Sequence, residues 1–502
     1  MEAASAEPRE RSDRPAGAQR PAPVETRIIP GLIKELRDER ALDGPFPPGP
    51  PIAGVRETMQ LARDPLPILL GHYERFGPVF STRIMYRKQI WAFGPEANHR
   101  ILVSNARNYH WREGGFGDLV PLLGDGLLTI DGDYHRRARR IMLPAFHRDS
   151  IAATADTMIE EAERALADWR PGEVVDVYHW ARDLAMRIAM RALLGLDPDD
   201  GDTGLSAARE FESALSYYGT DFALRLLRGP GTPWHRLHSS REILDRILFK
   251  EIRRRRESGD PGEGDILGML LAATDEDGSQ LSDQEVRDQA MTLLFAGHDT
   301  STSTISFLLY ELARHPHELA ALYAEQDEVL GGRPPTLADL TGGLPRLEMA
   351  LDETLRLYPP AWIGPRRAME TDEIAGVRIP GGAYVNYSSW VSHRLPDVFP
   401  DPELFVPERF TPERKAALPK GAYVPFGGGS RTCIGMRFGQ LEIRAVITLL
   451  LQRFRLELMP GRTMTVRQMP TLSPRGGLEM AVRERGLPVP AAAVASADKL
   501  VD

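Results

Sequence analysis

Apolar residues recur at helical spacing along most of the chain. Between residues 150 and 275, amphipathic runs at 151–166, 175–194 and 239–257 are separated by turns rich in Gly, Pro and Asp. Spacing of this kind predicts amphipathic helices. Two short runs rich in β-branched and aromatic residues, 79–84 and 89–93, are joined by a polar turn and predict a β-hairpin. The pattern therefore predicts a mainly α protein with small β-sheets.

The longest predicted helix covers residues 283–314. Ser282 and Glu285 form the capping-box pattern at its start, and the periodic pattern stops before Pro316. At 1.5 Å per residue the helix spans about 48 Å, enough to cross a whole domain. Its middle, residues 296–304, carries a glycine and a run of hydroxyl residues with poor helix propensity. Such a local conflict indicates a functional site, although hydroxyls that bond to preceding carbonyls and bend the helix are the alternative.

Composition and charge narrow the function classes. The chain has 502 residues, a net charge of −9 and one cysteine, which argues against nucleic acid as the main partner and excludes an intrachain disulfide. Residues 1–45 contain neither a signal-peptide core nor the ~20 apolar residues of a membrane span, and we expect a disordered extension there. We expect one domain over residues 46–486 and a disordered tail over 487–502.

The single cysteine, Cys433, lies in a glycine-rich loop before an apolar helical run. Gly427 and Gly435 belong to this loop, and glycines allow the backbone to approach a bulky group closely. A thiol at the start of a helix is favoured as thiolate, and a thiolate can serve as the single cysteine ligand of haem iron. A lone cysteine is more often a small buried apolar residue, so the neighbouring pattern has to decide.

The pattern Phe426-x-x-Gly429-x-Arg431-x-Cys433-x-Gly435 resembles the haem-ligand loop of the cytochrome P-450 family. This resemblance implies the P-450 fold, with the long helix lying over a b-type haem (iron protoporphyrin IX) and Cys433 as the iron ligand. It implies a monooxygenase that inserts one oxygen atom from O2 into a hydrophobic substrate. The missing membrane anchor points to the soluble bacterial type and a cytoplasmic location.

The resemblance also assigns roles on the long helix and around the haem. Asp299 would relay protons, Thr300 would hydrogen-bond bound dioxygen, and Ala296 and Gly297 would leave room for it. The remaining haem contacts implied are the loop residues and the propionate partners, namely Phe426, Gly427, Gly435, His135, Arg139, Arg367 and Arg431. For His135 and Arg139, which are four residues apart, a solvated basic helix face is the alternative.

A second motif, Glu353-x-x-Arg356, lies on a helix predicted over residues 345–357. In isolation it would be an exposed pair that contributes little. In the family it joins the arginine of a Pro-Glu-Arg-Phe segment, here Arg409, in a structural triad. The resemblance places the substrate pocket between the roof loop, the long helix and two later segments, and the predicted lining is Trp111, Phe116, Leu294, Phe295, His298, Trp362 and Leu472.

Electrons must come from another protein, because the chain has no Gly-x-Gly-x-x-Gly fingerprint. We expect an acidic ferredoxin or flavodoxin, reduced by an NAD(P)H-dependent reductase, to dock on a basic patch of Arg136, Arg137, Arg140 and Arg437. Two alternatives remain. A peroxygenase of the same fold would use hydrogen peroxide, and its known relatives lack the acid–alcohol pair. A haem-based sensor would need no proton relay.

Overall fold

The computed structural model describes residues 20–25, 28–42, 44–50, 55–84, 87–200, 204–220, 222–260, 262, 264–275 and 278–486. The predicted disorder of residues 1–19 and 487–502 lies outside this range. Within it, no helix has both the length and the hydrophobicity needed to cross a bilayer.

Helices dominate the structure, as predicted. In chain order they are α1 Ile28–Arg40, α2 Val55–Arg63, α3 Pro65–Phe76, α4 Pro95–His99, α5 Val120–Leu123, α6 Gly132–Met142, α7 Arg148–Ala152, α8 Ala155–Leu166, α9 Val177–Ile188, α10 Gly204–Gly219, α11 Phe222–Arg225, α12 Pro233–Ser258, α13 Ile266–Ala272, α14 Asp283–Arg314, α15 Pro316–Leu330, α16 Pro345–Leu357, α17 Ser389–Ser392, α18 Pro412–Ala417 and α19 Met436–Arg453.

The strands form small sheets beside the helices. They are β1 Val79–Ile84, β2 Arg87–Ala92, β3 Tyr109–His110, β4 Val174–Asp176, β5 Ile363–Ala368, β6 Asp372–Ile374, β7 Val377–Ile379, β8 Tyr384–Ser388, β9 Phe454–Leu458, β10 Val466–Arg467, β11 Ser473–Pro474 and β12 Glu479–Glu484. The largest sheet has the order β1-β2-β8-β5-β3, in which only β2 and β8 are parallel. The antiparallel β1–β2 pair confirms the predicted hairpin.

Helix α14 is the central element. Its bounds are those predicted, and the capping box is present, with the Glu285 amide donating to Ser282 and the Ser282 amide donating to Glu285. Residues 286–294 and 301–309 are buried throughout, because α14 packs against α9, α12, α16 and α19. A helix that is buried on all sides has to cross the core rather than cover it.

The segment expected to be disordered before residue 46 is partly folded. Helix α1 lies against the large sheet, where Glu39 pairs with Arg83 and Glu35 with Arg87 of the hairpin. Asp38 lies 3.4 Å from Arg367. The sequence prediction was wrong here because it relied on composition, and the charges that order this helix are far away in sequence.

Candidate active site

The loop before α19 is shaped around Cys433. The Cys433 amide donates to the carbonyl of Phe426 at 2.9 Å, which closes the loop. Gly427 and Gly429 have φ angles of +70° and +59°, in the region that favours glycine. A side chain at Gly429 would bring its Cβ to 2.4 Å from the Leu102 carbonyl oxygen. The glycines therefore allow the loop to approach the segment that follows α4.

The Cys433 side chain keeps accessible surface, although protein atoms surround it on all sides. Burial raises the pKa of its thiol, whereas the backbone hydrogen bond from Gly435 and the charge of Arg139 lower it. A side chain can be accessible inside a packed molecule only if it borders a space. The thiol is therefore presented to an internal space beside a cation and the N-terminus of α19, and both favour the thiolate.

Helix α14 borders a space at its midpoint. Phe295, Ala296, Gly297 and Thr300 are only partly buried, although the residues on either side of this stretch are buried. Ala296 and Thr300 are one turn apart and share one helix face. Gly297 differs from its prediction, because a Cβ there would point to the Leu193 methyl at 3.5 Å, an ordinary packing distance. The missing side chain at Gly297 thus faces Leu193.

The hydroxyl run bonds mainly to its own helix. Thr300 Oγ1 donates to the Ala296 carbonyl at 2.6 Å, and Thr302, Thr304 and Ser306 make the same bond to the carbonyl four residues earlier. These are the bonds of the alternative interpretation, but α14 remains a single continuous helix. Back-bonding therefore satisfies these hydroxyls without breaking the helix.

Asp299 is buried, and a chain of ion pairs connects it with the surface. Its Oδ1 lies 2.8 Å from Nη1 of Arg182 on α9, and Nε of Arg182 lies 3.0 Å from Glu212 on α10. Burial alone would lower the pKa of Arg182, but Asp299, Tyr178 and Glu212 raise it on balance. The Glu212 side chain is 41% exposed, so the chain of charges ends at the surface.

His298 does not line the predicted pocket. It is fully buried between α14, α9 and α10, where Nε2 lies 3.1 Å from the Arg182 carbonyl and the ring packs edge-on against Phe211. Burial lowers its pKa to about 4, so the ring is neutral at neutral pH. Asp299, the next residue, belongs to the ion-pair chain, whereas the His298 side chain is packed in the core.

A cluster of cationic residues lies on the other side of the Cys433 loop. Arg431 donates to the carbonyls of Leu127 and Ile130 and pairs with Asp131 at 2.5 Å, and Arg139 donates to the Thr432 carbonyl at 2.7 Å. His135 is buried beside them. Burial, followed by the charges of Arg431 and Arg139, lowers the pKa of His135 to about 3. The structure therefore brings these three predicted residues together.

Arg367 is not part of this cluster, and Arg366 takes its place. Side chains alternate across a strand, so on β5 the two arginines face opposite sides. Arg367 points to α1, where it lies 3.4 Å from Asp38, and it donates to the hydroxyl of Tyr384 on β8 at 3.0 Å. Arg366 is 1% exposed and lies over the Trp111 ring at 3.9 Å, and Arg431 lies over the same ring at 5.0 Å. Counting along the sequence could not decide between two adjacent arginines.

The cationic cluster has unused binding capacity. Nη2 of Arg366 is buried and has no hydrogen-bond partner among the described residues. Burial lowers the pKa of Arg366, as expected for a cation with too little compensation. A carboxylate would satisfy this nitrogen. An exposed thiol on a glycine loop and an unsatisfied buried arginine fit a haem with a thiolate ligand and propionate groups.

The predicted triad forms a buried network. Arg356 donates to both Glu353 oxygens at 2.7 and 2.8 Å, and both residues are fully buried. Nε of Arg409 lies 3.4 Å from Glu353, and Arg409 also donates to the Asp401 carbonyl. The pair is therefore not the exposed decoration that spacing alone would suggest.

The predicted substrate pocket is assembled only in part. Leu294, Trp362 and Leu472 are buried in core clusters, and the Trp362 indole donates to the Gln468 carbonyl. Trp111 and Phe116 pack on each other beside Arg366, with ring centroids 4.7 Å apart. Of the predicted positions, Phe295, Trp111 and Phe116 keep accessible surface, as do the neighbouring Ala361, Ile363 and Thr471.

The predicted basic patch is largely neutralised. Arg136 pairs with Asp133, Arg137 with Glu285 at 2.9 Å, and Arg140 with Asp275 at 2.8 Å. Arg437 is exposed and has no ion pair with any residue that the structure describes. The prediction counted arginines but could not see the carboxylates that reach them from residues 275 and 285.

Comparisons with known proteins agree with this site. The family model described as Cytochrome P450 matches residues 47–479. Cyclooctatin synthase from Streptomyces melanosporofaciens is 36% identical over 442 residues, which cover 86% of this chain and 93% of that protein. Pentalenene oxygenase from Streptomyces avermitilis is 31% identical over 83% of this chain and 92% of its own length.

Solved structures give the same result. The retinoic acid bound cyanobacterial CYP120A1 has a TM-score of 0.78 and 29% identity, over 88% of this chain and all of that chain. The cytochrome P450DA heme domain has a TM-score of 0.80 and 28% identity, over 88% and 98%. The chain therefore belongs to the cytochrome P450 family, whose members bind haem through a cysteine thiolate, and is an oxidoreductase of that family.

Proposed function

We propose that the chain is a haem-dependent monooxygenase that inserts one oxygen atom from O2 into a terpenoid-type hydrophobic molecule. The observation that carries this proposal is the Cys433 loop, which presents the single thiol of the chain to an internal space. Relatives whose names refer to cyclooctatin, cyclooctat-9-en-7-ol and pentalenene support the substrate class. The partly exposed positions near the site, Phe295, Ala361, Ile363 and Thr471, are mostly apolar, which fits such a molecule.

Three arginines and one histidine would bind the haem in addition to Cys433. Cys433 would bind the iron, and Arg139, Arg366, Arg431 and His135 would contact the propionates. When bound, the haem supplies the activation of O2, which the side chains themselves cannot perform. Arg139 would have two roles. Its charge favours the thiolate of Cys433, and its guanidinium belongs to the cationic cluster that would contact the propionates.

Asp299 would carry protons from the surface to the midpoint of α14. Glu212 and Arg182 lie between the surface and Asp299; Arg182 keeps its proton, so it would position the Asp299 side chain while water along this path delivers the protons. Because Asp299 and Thr300 point about 100° apart on the helix, Asp299 has to leave Arg182 before it can serve the Thr300 face. The Thr300 hydroxyl would then orient the proton acceptor, while its bond to Ala296 keeps its rotamer fixed.

A separate electron donor would dock where Arg437 lies. Exposed Val103 and Leu143 belong to segments that pack close to the Cys433 loop and to α6. A small apolar area with an unpaired arginine fits an acidic ferredoxin or flavodoxin. Arg437→Glu should slow reduction in a salt-dependent way, whereas Arg140→Glu should slow it less because Asp275 already neutralises Arg140.

Cys433→Ser tests the proposal. The reduced wild-type protein with carbon monoxide should give the red-shifted absorption band of thiolate-ligated haem, and the variant should lose it. Thr432→Ser, which alters a neighbouring residue on the same loop, serves as the control and should keep the band. A wild-type protein without this band would contradict the proposal.

A further inference from the structure

A cavity on the surface of the molecule lies outside the site described above. Its volume is about 540 Å³, which is within the range of small-molecule sites. It opens between the N-terminal segment 20–25, the short helix α5 and the first turns of α12. Its lining consists of Arg20, Pro21, Pro23, Val24, Arg112, Val120, Pro121, Asp125, Trp234, His238 and Arg241.

One wall of the cavity is the N-terminal strap, which we define as residues 20–25. Arg20 pairs with Asp125 at 2.5 Å and lies 3.8 Å from Asp288 on α14. The Ala22 carbonyl accepts a hydrogen bond from Arg112 at 2.9 Å. Val24 packs so close to Gly117 that a Cβ there would lie 3.4 Å from its methyl. The strap precedes residue 47, where the family match begins.

The charged groups around the cavity are already paired. Asp125 is shared by Arg20 and Arg112, which lies at 3.0 Å. Arg241 donates to the Pro121 carbonyl at 2.6 Å and lies 3.5 Å from Asp245. Among the described residues that line the cavity, no charge is left unpaired for a charged ligand, and an ionic molecule would have to break one of these pairs.

The rest of the lining is apolar with one neutral hydrogen-bonding group. Prolines and valines line the cavity together with the indole of Trp234. The His238 ring packs edge-on against this indole, with ring centroids 4.5 Å apart. Burial and the charge of Arg241 lower the pKa of His238, so its imidazole is neutral at neutral pH. Such a lining fits an uncharged molecule with an apolar body and a single hydroxyl or carbonyl group.

We propose that this cavity is a second small-molecule site, which binds an uncharged, apolar, terpenoid-sized molecule beneath the N-terminal strap. The ligand class rests on the proposed function, whereas the site itself rests on the cavity and its paired charges. The neighbouring roof segment, which carries Trp111 and Phe116, continues directly into α5. A molecule in the cavity therefore lies against the segment that covers the haem site, and we call this second site the vestibule.

The vestibule can be tested separately from the haem site. Haem-loaded protein would be saturated with 4-phenylimidazole, which occupies the iron site, and binding of the sesquiterpene alcohol nerolidol would be measured by equilibrium dialysis. We expect one bound nerolidol per chain in the blocked protein. Val120→Trp, which fills the vestibule, should abolish this binding, and Val174→Trp on an exposed strand should not. Trp234→Ala serves as a second variant that removes a wall.

Each outcome is informative. If the blocked protein binds no nerolidol while the unblocked protein binds it with a spectral shift, the vestibule is refuted and the proposed function stands. If nerolidol binding to the blocked protein survives both Val120→Trp and Trp234→Ala, the molecule binds elsewhere and the vestibule is again refuted. If the unblocked protein shows no spectral shift while the blocked protein binds nerolidol at Val120, the vestibule stands and the terpenoid class at the haem fails.

The strap can be tested by release kinetics in the blocked protein. Arg20→Gln should speed nerolidol release about two- to fivefold, the range expected for a half-exposed ion pair. A chain that starts at residue 26 should release it faster still. Arg462→Gln, which removes an exposed pair with Glu479, should have no effect. Unchanged release from the shortened chain would show that the strap is not a wall of the site.

Discussion

Two buried arginines of this protein differ in how completely their guanidinium groups are hydrogen-bonded. Arg356 is fully buried, and its guanidinium donates to both Glu353 oxygens and to the carbonyls of His393, Pro402 and Leu404. Arg366 is buried to the same degree, but its guanidinium has only the Pro365 carbonyl and the Tyr387 side chain as hydrogen-bond partners within the described residues, and its Nη2 has none.

The difference separates a structural group from a binding group. A buried cation is costly unless it is paired and hydrogen-bonded. Around Arg356 the protein itself supplies every partner, so the network can hold the fold without a ligand. Around Arg366 it supplies aromatic side chains and one carbonyl, which leaves the charge for an incoming anion. The unsatisfied Nη2 of Arg366, next to Arg431 and Trp111, therefore fits a group that awaits an anion.

The largest effect should come from opening the saturated network. Glu353→Gln leaves Arg356 buried without its counter-charge, and we expect a loss of about 3–5 kcal/mol in the free energy of unfolding. Denaturant titration of the haem-free protein measures it. Glu348→Gln is the control, because its pair with Arg444 is partly exposed and should contribute no more than about 1 kcal/mol. Equal losses in both variants would contradict the contrast.

Arg366→Gln should act in the opposite way. Removing an unsatisfied buried charge should leave the haem-free protein as stable as before or more stable. In the loaded protein, loss of a charge-assisted hydrogen bond of about 1.5–3 kcal/mol should speed haem loss roughly 10- to 100-fold. Transfer of haem to an excess of a scavenging apoprotein measures this rate. Arg367→Gln, on the opposite face of β5, should change it little, and the reverse order would refute the assignment of Arg366.

The sequence predicted elements whose signals are local. The bounds of α14 and α16 follow from a capping box, a proline at the first turn and a proline beyond the end, all within a few residues of the boundary. The Cys433 loop and the Glu353–Arg356 pair could be recognised because motif residues lie close together in the chain. Their assembly with Arg409 then depended on the family resemblance.

Features that depend on distant partners could not be predicted. Which of Arg366 and Arg367 faces the site is set by the pairing of β5 with β8, since a shift of one residue turns every side chain over. The charge of the basic patch is set by Asp275 and Glu285, and the order of α1 by Arg83 and Arg87. In each case the deciding residue lies tens of positions away.

A smaller effect should distinguish the two clusters by titration. Burial, together with Arg431 and Arg139, lowers the pKa of His135 to about 3, and burial with Arg356 does the same to His393. Because these values lie below the ordinary pKa of about 6.5, the stability that the neutral rings contribute is present above pH ~6.5 and is lost as the pH falls towards 3.

Only His135 should respond to loading. An incoming carboxylate would offset Arg431 and Arg139 and raise the pKa of His135, whereas His393 remains fixed by the Val424 amide and the Arg356 carbonyl. Imidazole resonances followed by NMR, with zinc protoporphyrin as a diamagnetic replacement for haem, report both rings. If both pKa values rose together on loading, the two clusters would not differ as we describe.

The smallest effect concerns a buried acid that belongs to neither cluster. Glu442 on α19 accepts a hydrogen bond from Ser301 on α14 at 2.6 Å, and burial raises its pKa to about 8. Ser301 is thus unlike the hydroxyls that bond to their own helix. A carboxyl whose folded pKa exceeds the unfolded value near 4.5 contributes stability that is present below pH ~4.5 and is lost as the pH rises towards 8.

Glu442→Gln keeps an acceptor for Ser301 but cannot ionise, so the variant should lose less stability than the wild type between pH 5 and about 9. Thermal unfolding across this range measures the difference, and Glu479→Gln at an exposed position is the control. Parallel pH profiles for wild type and Glu442→Gln would mean that the acid is charged in the folded protein, and that α14 and α19 are held by an ionic contact instead of a neutral one.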